Sequence, residues 1–180
     1  MNKEETLILN LKNPLTQERA FLELMSLYKE RLYWHIRRIV LNHDDADDVL
    51  QNTFIKVYKN IDSFKEESKL YSWIYRIATN ESITFINKRA KENHLDIADL
   101  HDKMANDLYN DPLFEGDEIQ FILQKAVATL PQKQQLVFKM KYFDEMKYQE
   151  MSEILDTSIG ALKASYFHAV KKIEEIISSH

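Results

Sequence analysis

Turn-forming and redox-active residues are scarce in this chain: its 180 residues include 2 Gly, 3 Pro and no Cys. A β-sandwich or barrel needs turn residues at nearly every strand connection, so this scarcity argues for helices joined by short polar turns. Without Cys there can be no disulfide, no thiol nucleophile and no Cys-ligated zinc. Long apolar runs are missing too, since none approaches the roughly 18 residues that a membrane span requires. Met1 to Leu11 mixes Lys and Glu with Leu and lacks the zoned pattern of a signal peptide. The expectation is an all-α, cytoplasmic protein with no membrane insertion.

Positive charge is not in excess either, the formal net charge being -5. Its distribution is more informative than its sum. Residues 1–95 carry 15 Lys/Arg against 14 Asp/Glu, and residues 119–180 carry 8 against 7. Residues 96–118 set Lys103 against 8 acids and also hold Pro112 and Gly116. That segment reads as an acidic linker with at most a short helix, between helical blocks at 1–95 and 119–180. Two readings of it stay open: a self-repelling, extended tether, or carboxylates that imitate a nucleic-acid backbone.

In the first block Phe21, Leu24, Met25, Tyr28, Leu32, Ile36, Ile39 and Val40 recur at three- and four-residue spacing, which predicts a long amphipathic helix. From Asp44 the run DDADDVLQNTFIKVYKNI puts Ala46, Val49, Leu50, Thr53, Val57 and Ile61 on one stripe, leaving Asp48, Gln51 and Asn52 off it. Its leading acids suit a helix N-terminus, where carboxylates cap free amides and complement the macrodipole. A metal site at His43 and Asp44 lacks further ligands at helical spacing, so no metal, cofactor or catalytic residue is expected. The third helix, SWIYRIATNESITFINKRAK from Ser72, crowds Tyr71, Trp73, Tyr75 and Arg76 at its start and ends in Lys88, Arg89 and Lys91. Aromatics interleaved with cations suit unpaired bases, which stack on rings while cations hold phosphates. Equally, any one of these rings could serve as a core anchor.

The second block resumes helical periodicity near Ile119, breaks at Leu130–Pro131, and continues through Phe143, with Pro131 expected to start a helix. Next come a short helix from Tyr148 to Leu155, a polar turn at Asp156 and Thr157, and a longer helix, which is helix-turn-helix spacing. Met151, Ile154, Leu155, Ile159, Leu162, Tyr166, Val170 and Ile173 can bury against one another. Lys163, Ser165, Phe167, His168 and Lys171 are left outward as candidate readers of a DNA groove.

Taken in order, DDADDVLQNTFIKVYKNIDSF, LYSWIYRIATN and LPQKQQLVFKMKYFDEMKYQEMSEILDTSIGALKASYFHAVKKI resemble the extracytoplasmic function (ECF) group of bacterial RNA polymerase sigma factors across nearly the whole chain. The resemblance implies that Asp48, Gln51 and Asn52 dock on the clamp coiled coil of the largest subunit of core RNA polymerase. It implies that Phe64, Lys65, Lys69, Tyr71, Trp73, Tyr75, Arg76 and Asn80 melt the promoter -10 element and capture a flipped base. The linker would thread towards the polymerase active-centre and RNA-exit channel, which favours nucleic-acid imitation. Lys163, Ser165, Phe167, His168 and Lys171 would read the -35 element, with Lys147 or Tyr148 near phosphates. An anti-sigma factor is a further partner that such factors often have.

A stand-alone helix-turn-helix regulator is the alternative, although such regulators usually dimerise and the aromatic-basic third helix would have no role in one. A helical metal-dependent phosphohydrolase would need a convergent ligand set that the sequence does not supply. No Arg follows Arg89, so -35 readout would rely on Lys, Ser, His and groove shape in place of bidentate arginine–guanine pairs. Lys163→Ala is expected to weaken promoter occupancy in a footprint; unchanged occupancy would remove Lys163 from the reading set.

Overall fold

The computed structural model describes Met1–His180 and contains nine α-helices and no strand. They are α1 (Lys3–Lys12), α2 (Gln17–Val40), α3 (His43–Asn60), α4 (Leu70–Glu92), α5 (Ile97–Asp107), α6 (Glu118–Ala128), α7 (Gln132–Tyr142), α8 (Tyr148–Leu155) and α9 (Ile159–Ser178). None is long and apolar enough to cross a membrane.

Polar side chains set most of the helix starts. Asn2, Asn42, Asp96, Asp117 and Ser158 each accept from the backbone N–H three residues on, at α1, α3, α5, α6 and α9. Such a cap contributes about 1 kcal/mol. Pro131 stands at the N-cap of α7, where its missing N–H costs nothing. With so few glycines, left-handed turn positions fall to other residues. Leu41 (φ 61°) ends α2, and Asp156 (φ 49°) ends α8 inside the helix-turn-helix.

In the first block α2, α3 and α4 pack on one another, with α1 laid against α2 and the turn after α3. Leu24, Leu32, Ile36, Val49, Val57, Ile74 and Ala78 are buried there. The same core continues without a break into the second block through Val137, Met140, Met146, Met151, Ile154 and Leu162. The two blocks are therefore closed on each other, with α8 against α4 and α7 against α2.

A polar seam accompanies the apolar one. Asp144, just after α7, accepts from His35 Nδ1 at 2.7 Å and from Arg38 Nη1 at 2.5 Å, while His35 Nε2 meets Thr79 Oγ1 at 2.8 Å. His35 is only 1% exposed, and burying it is tolerable because both ring nitrogens have partners. The neighbouring Lys139 is also buried, which pushes its pKa down to about 8 against the opposing pull of Asp144.

Residues 96–118 correct the extended-tether reading. Their acids do not keep the segment open, because Leu100, Met104 and Leu108 recur every four residues and are buried on one side of α5. Leu100 and Met104 pack with Ile86 and Ala90 of α4 and Leu136 of α7. Arg37 binds Asp111 at 2.7 Å, and His101 accepts from Gln135 Nε2 at 2.9 Å. An 11-residue helix thus sits against both blocks, its carboxylates mostly outward.

Two consequences can be measured. Asp144→Ala leaves His35 and Arg38 without their shared partner, and should lower stability by about 3 kcal/mol; an unchanged urea midpoint would show the seam to be dispensable. Burial chiefly, and the charge of Lys139 secondarily, push the His101 pKa down to about 4 from its ordinary 6.5. Between those values the unfolded chain binds a proton that the folded chain refuses, so stability falls as pH drops through the window, by up to about 3 kcal/mol. His101→Gln should lose less stability than the unmodified chain between pH 7 and pH 4.5 in urea melts, and equal losses would overturn the assignment.

Candidate nucleic-acid interface

The exposed edge of α3 carries Asp48, Gln51 and Asn52, all on the surface. Asp48 and Gln51, together with Asp47, Lys29 and Lys59, border a groove between α2 and α3 whose apolar lining is Phe21, Met25, Leu50, Phe54, Ile55 and Tyr58. Phe21 meets Tyr58 edge-on at 5.0 Å, leaving Tyr58 39% and Ile55 44% exposed. Asn52 does not line this groove. The sequence pointed to Asp48 and Gln51 but not to the lysines of the rim or the apolar floor, although Ile55 and Tyr58, apolar residues lying off the buried stripe, were a legible signal. Two other acids of α3 have partners within the first block. Asp45 pairs with Arg89, and His43 is tied to Tyr33 at 2.5 Å and to Asp47 at 3.4 Å.

The second surface runs from the turn after α3 into α4. Lys65, Lys69, Arg76 and Asn80 are exposed, while Tyr71 and Trp73 are half-buried. Phe64 and Tyr75 are not available as stacking platforms, being 2% and 3% exposed. The Phe64 ring packs 5.1 Å from Trp73, and Tyr75 stacks on Tyr71 at 4.3 Å with His35 on its other side at 5.0 Å. Helical spacing puts Leu70, Ile74 and Ala78 inward, and Tyr75 is drawn into the same core. Burial pushes the Tyr71 hydroxyl pKa up to about 12, with Arg31 over its ring at 5.2 Å opposing the rise. Tyr75 is shifted further in the same direction, again by burial first.

This second surface is partly occupied by the other block. The Arg76 guanidinium donates through both Nε and Nη2 to the carbonyl oxygen of Glu153 in α8. Ser72 Oγ donates to the Glu153 carboxylate at 2.5 Å.

On the helix-turn-helix, Lys163, Phe167 and Lys171 recur every four residues along an exposed edge of α9, with Phe167 64% exposed. Ser165 and His168 do not join that row. Ser165 is half-buried and lies about 160° around the helix from Lys163, because each residue turns it about 100°. His168 is exposed but a further step of about 100° beyond Phe167. Tyr148 is half-buried beneath Lys141 and Lys163, whose ammonium groups stand 4.5 and 5.7 Å from its ring centre, and Lys147 beside it is exposed.

Comparison with known proteins agrees with this division. The sigma-70 region 2 family matches residues 24–92, and the sigma-70 region 4 family matches residues 120–173. The chain is 33% identical over 153 residues to the ECF RNA polymerase sigma factor SigW of Bacillus subtilis, covering 80% of this chain and 81% of that protein. It is 27% identical over 172 residues to the ECF RNA polymerase sigma-E factor of Haemophilus influenzae, covering 89% and 88%. Among solved structures, CnrH in complex with the cytosolic domain of CnrY shares the fold at a TM-score of 0.71 and 18% identity over 99% of both chains. The sigma factor RpoE of Bartonella quintana, in complex with the anti-sigma factor NepR, does so at 0.66 and 22%, covering 88% of this chain and 96% of that one. With the region 2 match followed by the region 4 match, and a relative 33% identical over four fifths of both chains, the chain belongs to the ECF family of RNA polymerase sigma factors.

Proposed function

We propose that this sigma factor docks on the clamp coiled coil of core polymerase through the groove between α2 and α3, with Asp48 and Gln51 at its rim. The groove itself is the observation that carries this reading. An apolar floor with exposed Ile55 and Tyr58, rimmed by Asp47, Asp48, Lys29 and Lys59 and lacking any covering segment of the same chain, suits an amphipathic helical partner whose flanks carry charges of both signs. Lys65, Lys69, Tyr71, Trp73, Arg76 and Asn80 then engage the melted -10 strand, and Lys163, Phe167 and Lys171 read the -35 groove. Tyr148 and Lys147 lie close enough to meet adjacent phosphates. Function here is binding and strand opening without a catalytic group of its own, in the cytoplasm where the polymerase works. The anti-sigma factor bound to RpoE supports a protein antagonist for this chain as well.

Distance requires the closed form to open. Promoter elements centred at -10 and -35 are about 25 base pairs apart, roughly 85 Å at 3.4 Å per pair. A compact chain of this length has a radius of gyration of about 16 Å. Both elements can be held only if α8 leaves α4, which also frees Arg76 and Ser72 from Glu153.

The test is association with purified core polymerase followed by initiation from a library of upstream DNA. Asp48→Arg combined with Ile55→Asp should reduce core affinity at least about tenfold, the loss expected from a buried hot spot. An unmodified chain that does not bind core, yet binds duplex DNA specifically by itself, would establish the stand-alone regulator instead.

A further inference from the structure

The segment from Phe64 to Leu70 leads into α4 without a cap of its own. Lys69, at the N-cap, makes no side-chain hydrogen bond to the first turn, and that turn contains no acid. Within the segment Glu66 adopts a left-handed backbone, φ 61°, a conformation that side-chain sterics disfavour outside glycine. An exposed loop built this way would ordinarily be loose.

Both of its ends are instead tied to α1. Lys12, the last residue of α1, donates to the carbonyl oxygen of Phe64 at 2.7 Å. Its ammonium group also lies 3.5 Å from the Glu66 carboxylate and 5.7 Å from the centre of the Phe64 ring. Glu4, in the first turn of α1, accepts from the backbone N–H of Leu70 at 3.1 Å. It supplies from another helix the cap that α4 lacks. The two residues are about 12 Å apart along α1, so one rigid helix bridges the mouth of the loop. The brace is itself well held, by an Asn2–Glu5 capping box at its start and by Leu7, Ile8 and Leu11 buried beneath it.

We propose that α1 is a positioning element for -10 recognition, with Glu4 and Lys12 holding the loop from 64 to 70 in the shape that presents Lys65, Lys69 and Tyr71 to the melted strand. The proposal rests on the assignment of that surface to -10 DNA. Neither Glu4 nor Lys12 touches DNA in it, and both lie outside the residues 24–92 that match region 2. Their contribution is entropic. A loop already fixed at both ends does not have to be ordered when the strand binds, and that ordering would otherwise be subtracted from the affinity.

The experiment measures binding of a labelled single-stranded -10 oligonucleotide to holoenzyme, its sequence taken from a promoter that the unmodified chain selects. Core affinity is measured in parallel. Glu4→Ala with Lys12→Met should weaken oligonucleotide binding about tenfold while core affinity stays within about twofold, the size expected when a few loop residues must be ordered on binding. Glu4→Gln keeps the acceptor and Lys12→Arg keeps the donor, so each should restore binding to near the unmodified level. Unchanged oligonucleotide binding by the double variant would overturn the positioning role. So would a parallel loss of core affinity, which would mean that α1 merely supports the fold. If the unmodified chain with core selects no promoter, the sigma assignment of the surface fails, and the positioning role fails with it.

Discussion

All but one face of α4 has to be covered, and that single requirement organises the molecule. Leu70, Ile74, Tyr75 and Ala78 are buried in the main core, Ile86 and Ala90 in a second cluster further along, and Trp73, Ile77 and Phe85 are partly covered between them. A helix apolar around so much of its circumference cannot rest on the surface of a three-helix block. α2 and α3 take one side, α5 takes the C-terminal half, and α8 takes what remains. Because α8 is the first helix of the helix-turn-helix, covering α4 brings the two blocks together. Each fully buried Ile or Met contributes about 1.5–3 kcal/mol, so Met146, Met151 and Ile154 together weigh as much as the whole stability expected of a small block.

Much of this was legible in the sequence. The stripes of α2 and α3, the acid-led start of α3, Pro131 at the head of α7 and the helix-turn-helix all follow from spacing and capping chemistry. α5 was also written there, as Leu100, Met104 and Leu108 at four-residue intervals after an Asp96 cap. Net charge hid it, because 8 acids between 96 and 118 suggest repulsion, whereas repulsion acts only on the side chains that the fold turns outward. The closure of the blocks was not legible. Asp144, His35 and Thr79 are far apart in sequence, and nothing local in any of them points to the others.

The aromatic residues of the candidate surface divide for a related reason. Phe64, Tyr71, Trp73 and Tyr75 all lie within 12 residues, and their types do not distinguish a base-stacking ring from a core ring. Helical periodicity settles the matter only in part, since Arg76, Asn80, Thr84, Lys88 and Lys91 mark an exposed stripe of α4 that Trp73 shares, while Phe64 precedes the helix. Only packing separates them: Tyr75 is sealed between Tyr71 and His35, and Phe64 beneath Trp73 and Lys12. The cations are the more readable half of the site. Lys65, Lys69 and Arg76 reach water whatever lies beneath them, as long charged side chains almost always do.

Closure weighs unequally on the two surfaces proposed to bind DNA. Glu153 occupies Ser72 and Arg76 on α4, yet the row Lys163, Phe167 and Lys171 on α9 faces solvent. The surface proposed to read the -35 element is thus open, while the one proposed for the -10 element is partly filled. With no arginine and a block charge of +1, that surface has little with which to hold duplex by itself. In the opening proposed above, polymerase would hold the two blocks at fixed spacing, and two weak surfaces would then act through effective concentration without being strong singly. The low charge of the second block fits that proposal, because specificity would come from the distance between the surfaces, which the closed chain does not possess.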